Sequence, residues 1–205
     1  MATHRSRFAA LAAAMATAAL ASCGGGSSNP FDNPPPVANL DIPGGQHLSY
    51  AYFQKCINPI FTTALPITLN GVTSVNTCAG SGCHDSSTGT GGALRIVPGA
   101  LPLDVTDPAA TPAAIRATDM YKNFYSAQGE VVIGSAAQSR LLAKPLLLNV
   151  LHGGGQVFAG ASDPNAKLIQ YWISHPAPLG QDEFSTATYS MFTPADPNTG
   201  TCNTQ

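Results

Sequence analysis

The sequence predicts a mainly α-helical domain with long irregular loops. Three observations support this fold class: apolar residues recur at helical spacing in several segments, capping residues precede two of these segments, and stretches rich in proline and glycine separate them. No internal repeat is visible. About 160 residues follow the N-terminal region, which is enough for one domain with a single core.

The first predicted helix begins near His47 and is amphipathic. Its apolar residues fall at positions i, i+3, i+7, i+10 and i+11, and these are Tyr50, Phe53, Ile57, Ile60 and Phe61. Pro59 lacks a backbone N–H and interrupts the helix, so we expect a kink there or an end at about Asn58. A turn-rich segment then leads to Cys78.

Three further helices are predicted. Thr111 is a suitable N-cap for a helix over residues 112–126, and another helix covers residues 136–144. The last helix begins after Asp163, has proline at its first position and ends before Pro176. Its inward stripe consists of Leu168, Ile169, Trp172 and Ile173.

The segments between and after these helices are predicted to be loops. Residues 85–92 are too polar and too rich in glycine for regular structure. Residues 93–97 form a brief extended piece. The tail over residues 179–205 is expected to be largely irregular, apart from the aromatic segment 184–192.

Residues 1–22 have the features of a lipoprotein signal peptide. Two arginines precede an Ala-rich apolar run at residues 8–20. This run is too short for a spanning helix, which needs about 20 residues. The sequence Leu-Ala-Ser before Cys23 resembles the bacterial lipobox, so Cys23 is predicted to carry the lipid. The alternative is an ordinary secretory signal followed by an unrelated cysteine.

The predicted lipid anchor defines a domain organisation and a location. Residues 23–46 are rich in glycine, serine and proline, as in a lipidated flexible tether, and residues 47–205 form the domain. Glycine follows Cys23, instead of the aspartate that retains many lipoproteins at the inner membrane. We therefore expect anchoring to the outer membrane, on its periplasmic or cell-surface side.

Composition and the absence of motifs exclude several classes of function. The formal net charge is −2, charged residues make up 10% of the chain, and no Lys/Arg cluster occurs. Nucleic-acid binding is therefore not expected. The sequence also contains no H-E-x-x-H motif, no G-x-S-x-G motif and no phosphate-binding loop.

The most informative motif is C-x4-C-H, formed by Cys78, Cys83 and His84. Two thiols can add to the two vinyl groups of a haem, and the adjacent imidazole then serves as the proximal iron ligand. The usual form of this haem c attachment motif is C-x-x-C-H. Two alternatives stay open: the three residues ligate zinc, or the cysteines form a small disulfide loop.

The remaining cysteines predict a disulfide. The chain has five cysteines. With Cys23 assigned to lipid and the motif cysteines assigned to haem, Cys56 and Cys202 form the remaining pair, in an oxidising compartment that favours disulfides. The alternative is that both stay unpaired.

Several short segments follow one another in an order that resembles class I cytochrome c domains, and bacterial lipoprotein cytochromes in particular. They lie at residues 57–61, 78–84, 91–94, 139–144 and 171–173. Related domains carry V-x-P-I-L before the haem motif, then Gly-Gly-Leu, and a Trp-Ile pair on the last helix. Over residues 47–178, the resemblance implies a small class I cytochrome c-like helical domain with one covalent haem c.

The resemblance also implies a second axial ligand. Class I cytochromes often supply a methionine from a loop before the last helix, and here His152 occupies that place, followed by three glycines that would let the backbone pass close to a porphyrin. Coordination by His84 and His152 is therefore predicted, unless His152 is an unrelated loop residue. Met191 is the alternative ligand. Weaker candidates are Met120, His47 and His175.

A haem iron with two protein ligands is suited to electron transfer rather than to catalysis at an open coordination position. We therefore expect a membrane-anchored electron carrier, with redox proteins such as other cytochromes as its partners. One alternative is a haem enzyme or sensor with a displaceable distal ligand, and another is a haem-free, disulfide-stabilised binding module. Candidate wall residues for the haem are Tyr121, Phe124, Tyr125, Phe158 and Trp172.

Overall fold

The structure is a computed structural model that describes residues 45–205. The predicted signal peptide, the lipidation site at Cys23 and most of the tether lie outside the described residues. Within the described range, no helix is both long enough and apolar enough to cross a membrane.

The prediction of a mainly α-helical, class I cytochrome c-like domain is wrong. The described region is 32% helix, with π-helical and 3-10 turns included, and 11% strand, with isolated bridges included. It has six short α-helices and two small sheets. The α-helices are α1 (Tyr50–Tyr52), α2 (Asn58–Thr62), α3 (Pro112–Arg116), α4 (Asp119–Gln128), α5 (Arg140–Ala143) and α6 (Pro164–Ser174). The strands are β1 (Leu65–Leu69), β2 (Val72–Asn76), β3 (Phe192–Thr193) and β4 (Thr201–Cys202).

The first helix passes through Pro59 and does not end before it. A π-helical turn over Phe53–Ile57 joins α1 to α2, and Pro59 lies in the first turn of α2. An N–H is not required at that position, and the wider π turn accommodates the proline ring. The helical segment therefore reaches Thr62, beyond the predicted end at Asn58.

The segment before Cys78 forms a β-hairpin that was predicted only as turns. Strands β1 and β2 pair antiparallel, with Leu69 opposite Val72. The two residues between them are Asn70 and Gly71, with φ of 51° and 79°. Asn-Gly with positive φ at both positions is the two-residue turn that best matches the twist of paired strands.

Two predicted helices are each divided in the structure. Helix α3 ends at Arg116, and Thr118 begins α4, because its side chain accepts a hydrogen bond from the Tyr121 N–H and caps a new helix. Ser139 has an extended backbone between a 3-10 turn and α5. Its buried hydroxyl lies 2.8 Å from the Ser135 carbonyl oxygen and 2.9 Å from the Val132 nitrogen. Local side-chain hydrogen bonds thus compete with helix continuation.

Helix α6 has the predicted boundaries and forms the centre of the core. The Asp163 carboxylate caps it by accepting hydrogen bonds from two backbone N–H groups. Trp172 is fully buried, and its indole N–H donates to the Ser49 carbonyl at 2.9 Å. Its ring packs against Phe53 and Phe124, with centroids 5.4 and 6.1 Å away.

The tail is more ordered than predicted, because it packs against the first helix. A 3-10 helix at Thr186–Met191 leads into β3, which pairs with β4. A disulfide joins Cys56 to Cys202, with 6.1 Å between the two Cα atoms. The Tyr52 hydroxyl donates to the Asn203 carbonyl beside this bridge.

The tail also places a carboxylate in the core. Glu183 is 1% exposed, and its Oε1 atom accepts hydrogen bonds from the Tyr121 hydroxyl at 2.8 Å and from Arg116 Nη2 at 3.0 Å. The His47 Nδ1 atom lies 3.5 Å from Oε2. Burial raises the pKa of Tyr121, and the Glu183 carboxylate raises it further.

Candidate functional site

A cavity of about 500 Å³ lies between the C-x4-C-H segment, β1, α5, α6 and the loop that contains His152. This volume falls within the range of about 300–1,000 Å³ typical of small-molecule sites. Its apolar walls come from elements distant in sequence. They include Phe61, Ile67, Leu94, Leu141, Val157, Phe158 and Ile169.

The C-x4-C-H segment is a closed turn at the edge of this cavity. The His84 N–H donates to the Cys78 carbonyl at 2.9 Å, so the chain returns to the start of the motif. Gly82 has a φ of +80°, which glycine adopts without strain and which allows the four-residue spacing. The Ala79 N–H donates to the Phe61 carbonyl at 2.8 Å and fixes the turn to α2.

Both motif cysteines are free thiols and line the cavity. Burial raises the pKa of Cys78 to about 11, and the neighbouring Cys83 adds to this shift. The Cys78 thiol is therefore protonated at neutral pH, because a charged thiolate would lose hydration there. The two cysteines do not form the small disulfide loop that the sequence left open.

The His84 ring is oriented by its backbone surroundings. Its Nδ1 atom lies 3.1 Å from the Leu94 carbonyl oxygen, which only accepts hydrogen bonds, so Nδ1 carries the proton. Burial lowers the pKa of His84 and thereby favours the neutral ring. A neutral imidazole protonated at Nδ1 has an unprotonated Nε2, which is the form that binds a metal. Gly91 leaves space for the ring: a Cβ there would lie 2.8 Å from His84 Nδ1.

His152 is oriented in the same way by a different loop. Its Nδ1 atom donates to the Gly155 carbonyl at 2.7 Å, which leaves Nε2 without that proton. Gly155 has a φ of +83°, and a Cβ there would lie 2.4 Å from the Thr68 carbonyl oxygen. Thr68 and Gln156 form a β-bridge with hydrogen bonds of 2.8 Å in both directions. The hairpin therefore fixes the loop that carries His152.

The structure brings His84 and His152 together across the cavity. Their ring centroids are 6.2 Å apart and their planes differ by 11°. A metal lies about 2.0–2.1 Å from an imidazole nitrogen, so two nitrogens on opposite sides of one metal are about 4 Å apart, and the ring centroids about 6 Å apart. The observed centroid spacing agrees with this value.

The donor set fits a covalently attached haem. Two thiols and two imidazoles, each imidazole held through Nδ1 by a backbone carbonyl, meet in one cavity with apolar walls. Zinc bound at C-x4-C-H would need further ligands. Within residues 45–205, no group of three or more His, Cys, Asp or Glu side chains is placed to hold a metal ion.

Three charged side chains also line the cavity. Arg140 and Lys144 lie one helical turn apart at α5, and Glu130 belongs to the loop after α4. In the part of the chain that the structure describes, no carboxylate lies within 4.0 Å of either cation, and neither side chain has a hydrogen-bond partner.

The other candidate ligands lie outside the cavity lining. Met191 and Met120 are buried in the core. His47 contacts Glu183, and His175 stacks on Tyr171 with a centroid distance of 3.9 Å. None of these four is among the described residues that line the cavity.

Of the five candidate wall residues, Phe158 lines the cavity, whereas the other four belong to the core or its margin. Sequence reasoning missed Ile67, because the hairpin was not predicted. The residues at α5 had a visible signal, since the 139–144 segment belonged to the resemblance. That signal did not indicate which of its side chains face the cavity.

Comparison with known proteins gives no relative from which function can be inferred. No family model matches the chain, and neither a curated protein nor a solved structure matches it.

Proposed function

We propose that the chain is a membrane-anchored monohaem c-type cytochrome that carries single electrons between periplasmic or extracellular redox partners. Cys78 and Cys83 would hold the haem covalently, and His84 and His152 would be the axial ligands. The observation that carries the proposal is the pair of nearly parallel imidazoles 6.2 Å apart, next to two free thiols. Lipid on Cys23 would supply the anchor.

A backbone carbonyl orients each imidazole for ligation. The Leu94 and Gly155 carbonyls accept the Nδ1 protons, so Nε2 is the nitrogen of each ring that is left to bind the iron. The two carbonyls also restrict ring rotation. Because both axial positions would then be filled by protein, the arrangement favours electron transfer over binding of a small ligand.

A bound haem would supply a one-electron couple. The chain's own contribution is to set its potential. Imidazole on both sides gives a lower potential than a methionine ligand does. We therefore expect a low-potential carrier.

The first experiment tests covalent haem. The full chain is expressed with the cytochrome c maturation system, separated on a denaturing gel and stained for haem. We expect one covalent haem and a low-spin spectrum in both redox states. A chain without covalent haem would refute the proposal, and a high-spin spectrum would favour an enzyme or sensor with an open site.

The second experiment tests the axial ligand. His152→Ala should convert the low-spin spectrum to high-spin, and His152→Met should keep it low-spin while raising the potential, because thioether sulfur favours the reduced iron. His175→Ala is the matched control, since His175 lies on the surface outside the cavity lining. A spectrum that is unchanged in His152→Ala would exclude His152 as the ligand.

A further inference from the structure

We infer that Arg140 and Lys144 form the binding site for the haem propionates and thereby set the reduction potential. This inference rests on the proposed function and assigns a role to two residues of the same cavity. Both are cations that line the cavity, and neither has a hydrogen-bond or ion-pair partner among the residues that the structure describes. The charge of Lys144 acts on His84 and contributes to the lowering of its pKa.

The two cations are well placed to act together. Arg140 begins α5 and Lys144 follows its last residue, four positions later, so their side chains emerge on the same side of the helix. Leu141, between them, is buried in the core and also lines the cavity. The packing of Leu141 therefore holds this short helix at the cavity.

The chemistry of the ligand matches this pair. A porphyrin of the b or c type carries two carboxylates, which need charge compensation at the edge of an apolar cavity. Guanidinium binds carboxylate through two parallel hydrogen bonds, and ammonium acts as a compact point charge. Glu130 lines the same cavity but has the wrong charge for this role.

The sign of the effect on potential follows from electrostatics. The oxidised site carries one more positive charge than the reduced site, so a nearby cation disfavours oxidation. Removing a cation should therefore lower the potential. It should also raise the pKa of the propionate that lost its partner, so that the potential becomes dependent on pH in the neutral range.

The test measures the midpoint potential of the haem-loaded full chain between pH 5 and 8. For Arg140→Gln and Lys144→Gln, we expect the equilibrium constant for reduction at pH 7 to fall about three- to tenfold, or about 30–59 mV for a one-electron couple. The potential of each variant should rise as pH falls, with the low-spin spectrum unchanged.

Three controls isolate this role. Arg140→Lys and Lys144→Arg keep the charge and should stay close to the unmodified potential. Lys122→Gln removes the same charge from an exposed side chain paired with Asp119, and should leave the pH profile unchanged. The same measurements in a Glu130→Gln background remove the contribution of that carboxylate. His84, His152 and Arg95, which lies near His84, are left unchanged in all of these variants.

The outcomes separate the two proposals. Gln variants that bind haem and behave like Lys122→Gln would overturn this inference and leave the proposed function intact. The inference would also be overturned if the midpoint potentials of Arg140→Lys and Lys144→Arg shifted as far as those of the Gln variants. An unmodified chain that binds no haem would refute both.

Discussion

At the residue scale, the orientation of the two imidazole rings is fixed by backbone carbonyls from other parts of their loops, and not by the residues next to them in sequence. His84 was predicted from the C-x4-C-H motif and His152 from the order of segments, and the structure places both on one cavity. The Leu94 and Gly155 carbonyls determine which nitrogen of each ring donates a hydrogen bond. No sequence pattern indicates these contacts, because they depend on how two loops close in space.

Cys78 gives a prediction at this scale. In the haem-free chain, its alkylation by iodoacetamide should be slow at pH 8 and should accelerate up to about pH 11, because only the thiolate reacts and burial raises the pKa of this thiol to about 11. Peptide mapping by mass spectrometry measures the rate. The urea-unfolded chain is the control, since exposure returns the pKa of the thiol towards about 8.5. A rate in the folded chain that levels off near pH 9 would contradict the burial of Cys78.

At the element scale, the β1–β2 hairpin supports the site. Its bridge to Gln156 fixes the His152 loop, and Ile67 contributes to the cavity wall. The sequence contained the signal for this element, since Asn70-Gly71 lies between two runs rich in β-branched residues. Thr118 and Ser139 divided predicted helices because their hydroxyls form local hydrogen bonds.

The contact between hairpin and loop gives a second prediction. Gly155→Ala should destabilise the fold by about 2 kcal/mol or more, because positive φ costs about 1–2 kcal/mol with a side chain and the new Cβ would lie 2.4 Å from the Thr68 carbonyl oxygen. Urea unfolding measures the free energy. On the proposed function, the haem-loaded variant should also have a smaller low-spin fraction in its spectrum, since the Gly155 carbonyl orients His152.

Gly153→Ala is the matched control for this substitution. Gly153 lies in the same loop and has no positive φ, and a Cβ added there would meet no heavy atom within 4 Å. Its stability should stay within about 0.5 kcal/mol of the unmodified chain. Equal losses for the two variants would mean that the hairpin contact does not govern the loop.

At the scale of the whole molecule, the C-terminal tail is joined to the rest of the domain by a disulfide and by a buried carboxylate. The Cys56–Cys202 bridge and the buried Glu183 both tie the last part of the chain to the first helix and its neighbours. The Cys56–Cys202 pair was predicted because the other three cysteines were assigned to lipid and to haem attachment. The burial of Glu183 could not be predicted, because its position in the sequence gives no sign that Arg116 and Tyr121 would surround it.

The disulfide gives a prediction at this scale. It closes a loop with a sequence separation of 146 residues, and a loop of that length contributes about 4–5 kcal/mol in the chain-entropy model. Cys56→Ala/Cys202→Ala should lose a comparable free energy of unfolding in urea. The unmodified chain reduced with dithiothreitol is the control, because it loses the cross-link but keeps both side chains. A loss below about 1 kcal/mol on reduction would show that packing alone holds the tail.

The length of this loop also determines an order of events during synthesis. Cys202 is made 146 residues after Cys56, and Cys78 and Cys83 both emerge in the interval. Oxidation at an early stage could therefore join Cys56 to Cys78 or Cys83 before Cys202 has been made. Covalent capture of Cys78 and Cys83 by haem would remove both competitors. On the proposed function, cofactor attachment thus protects the fidelity of a disulfide that lies outside the cofactor site.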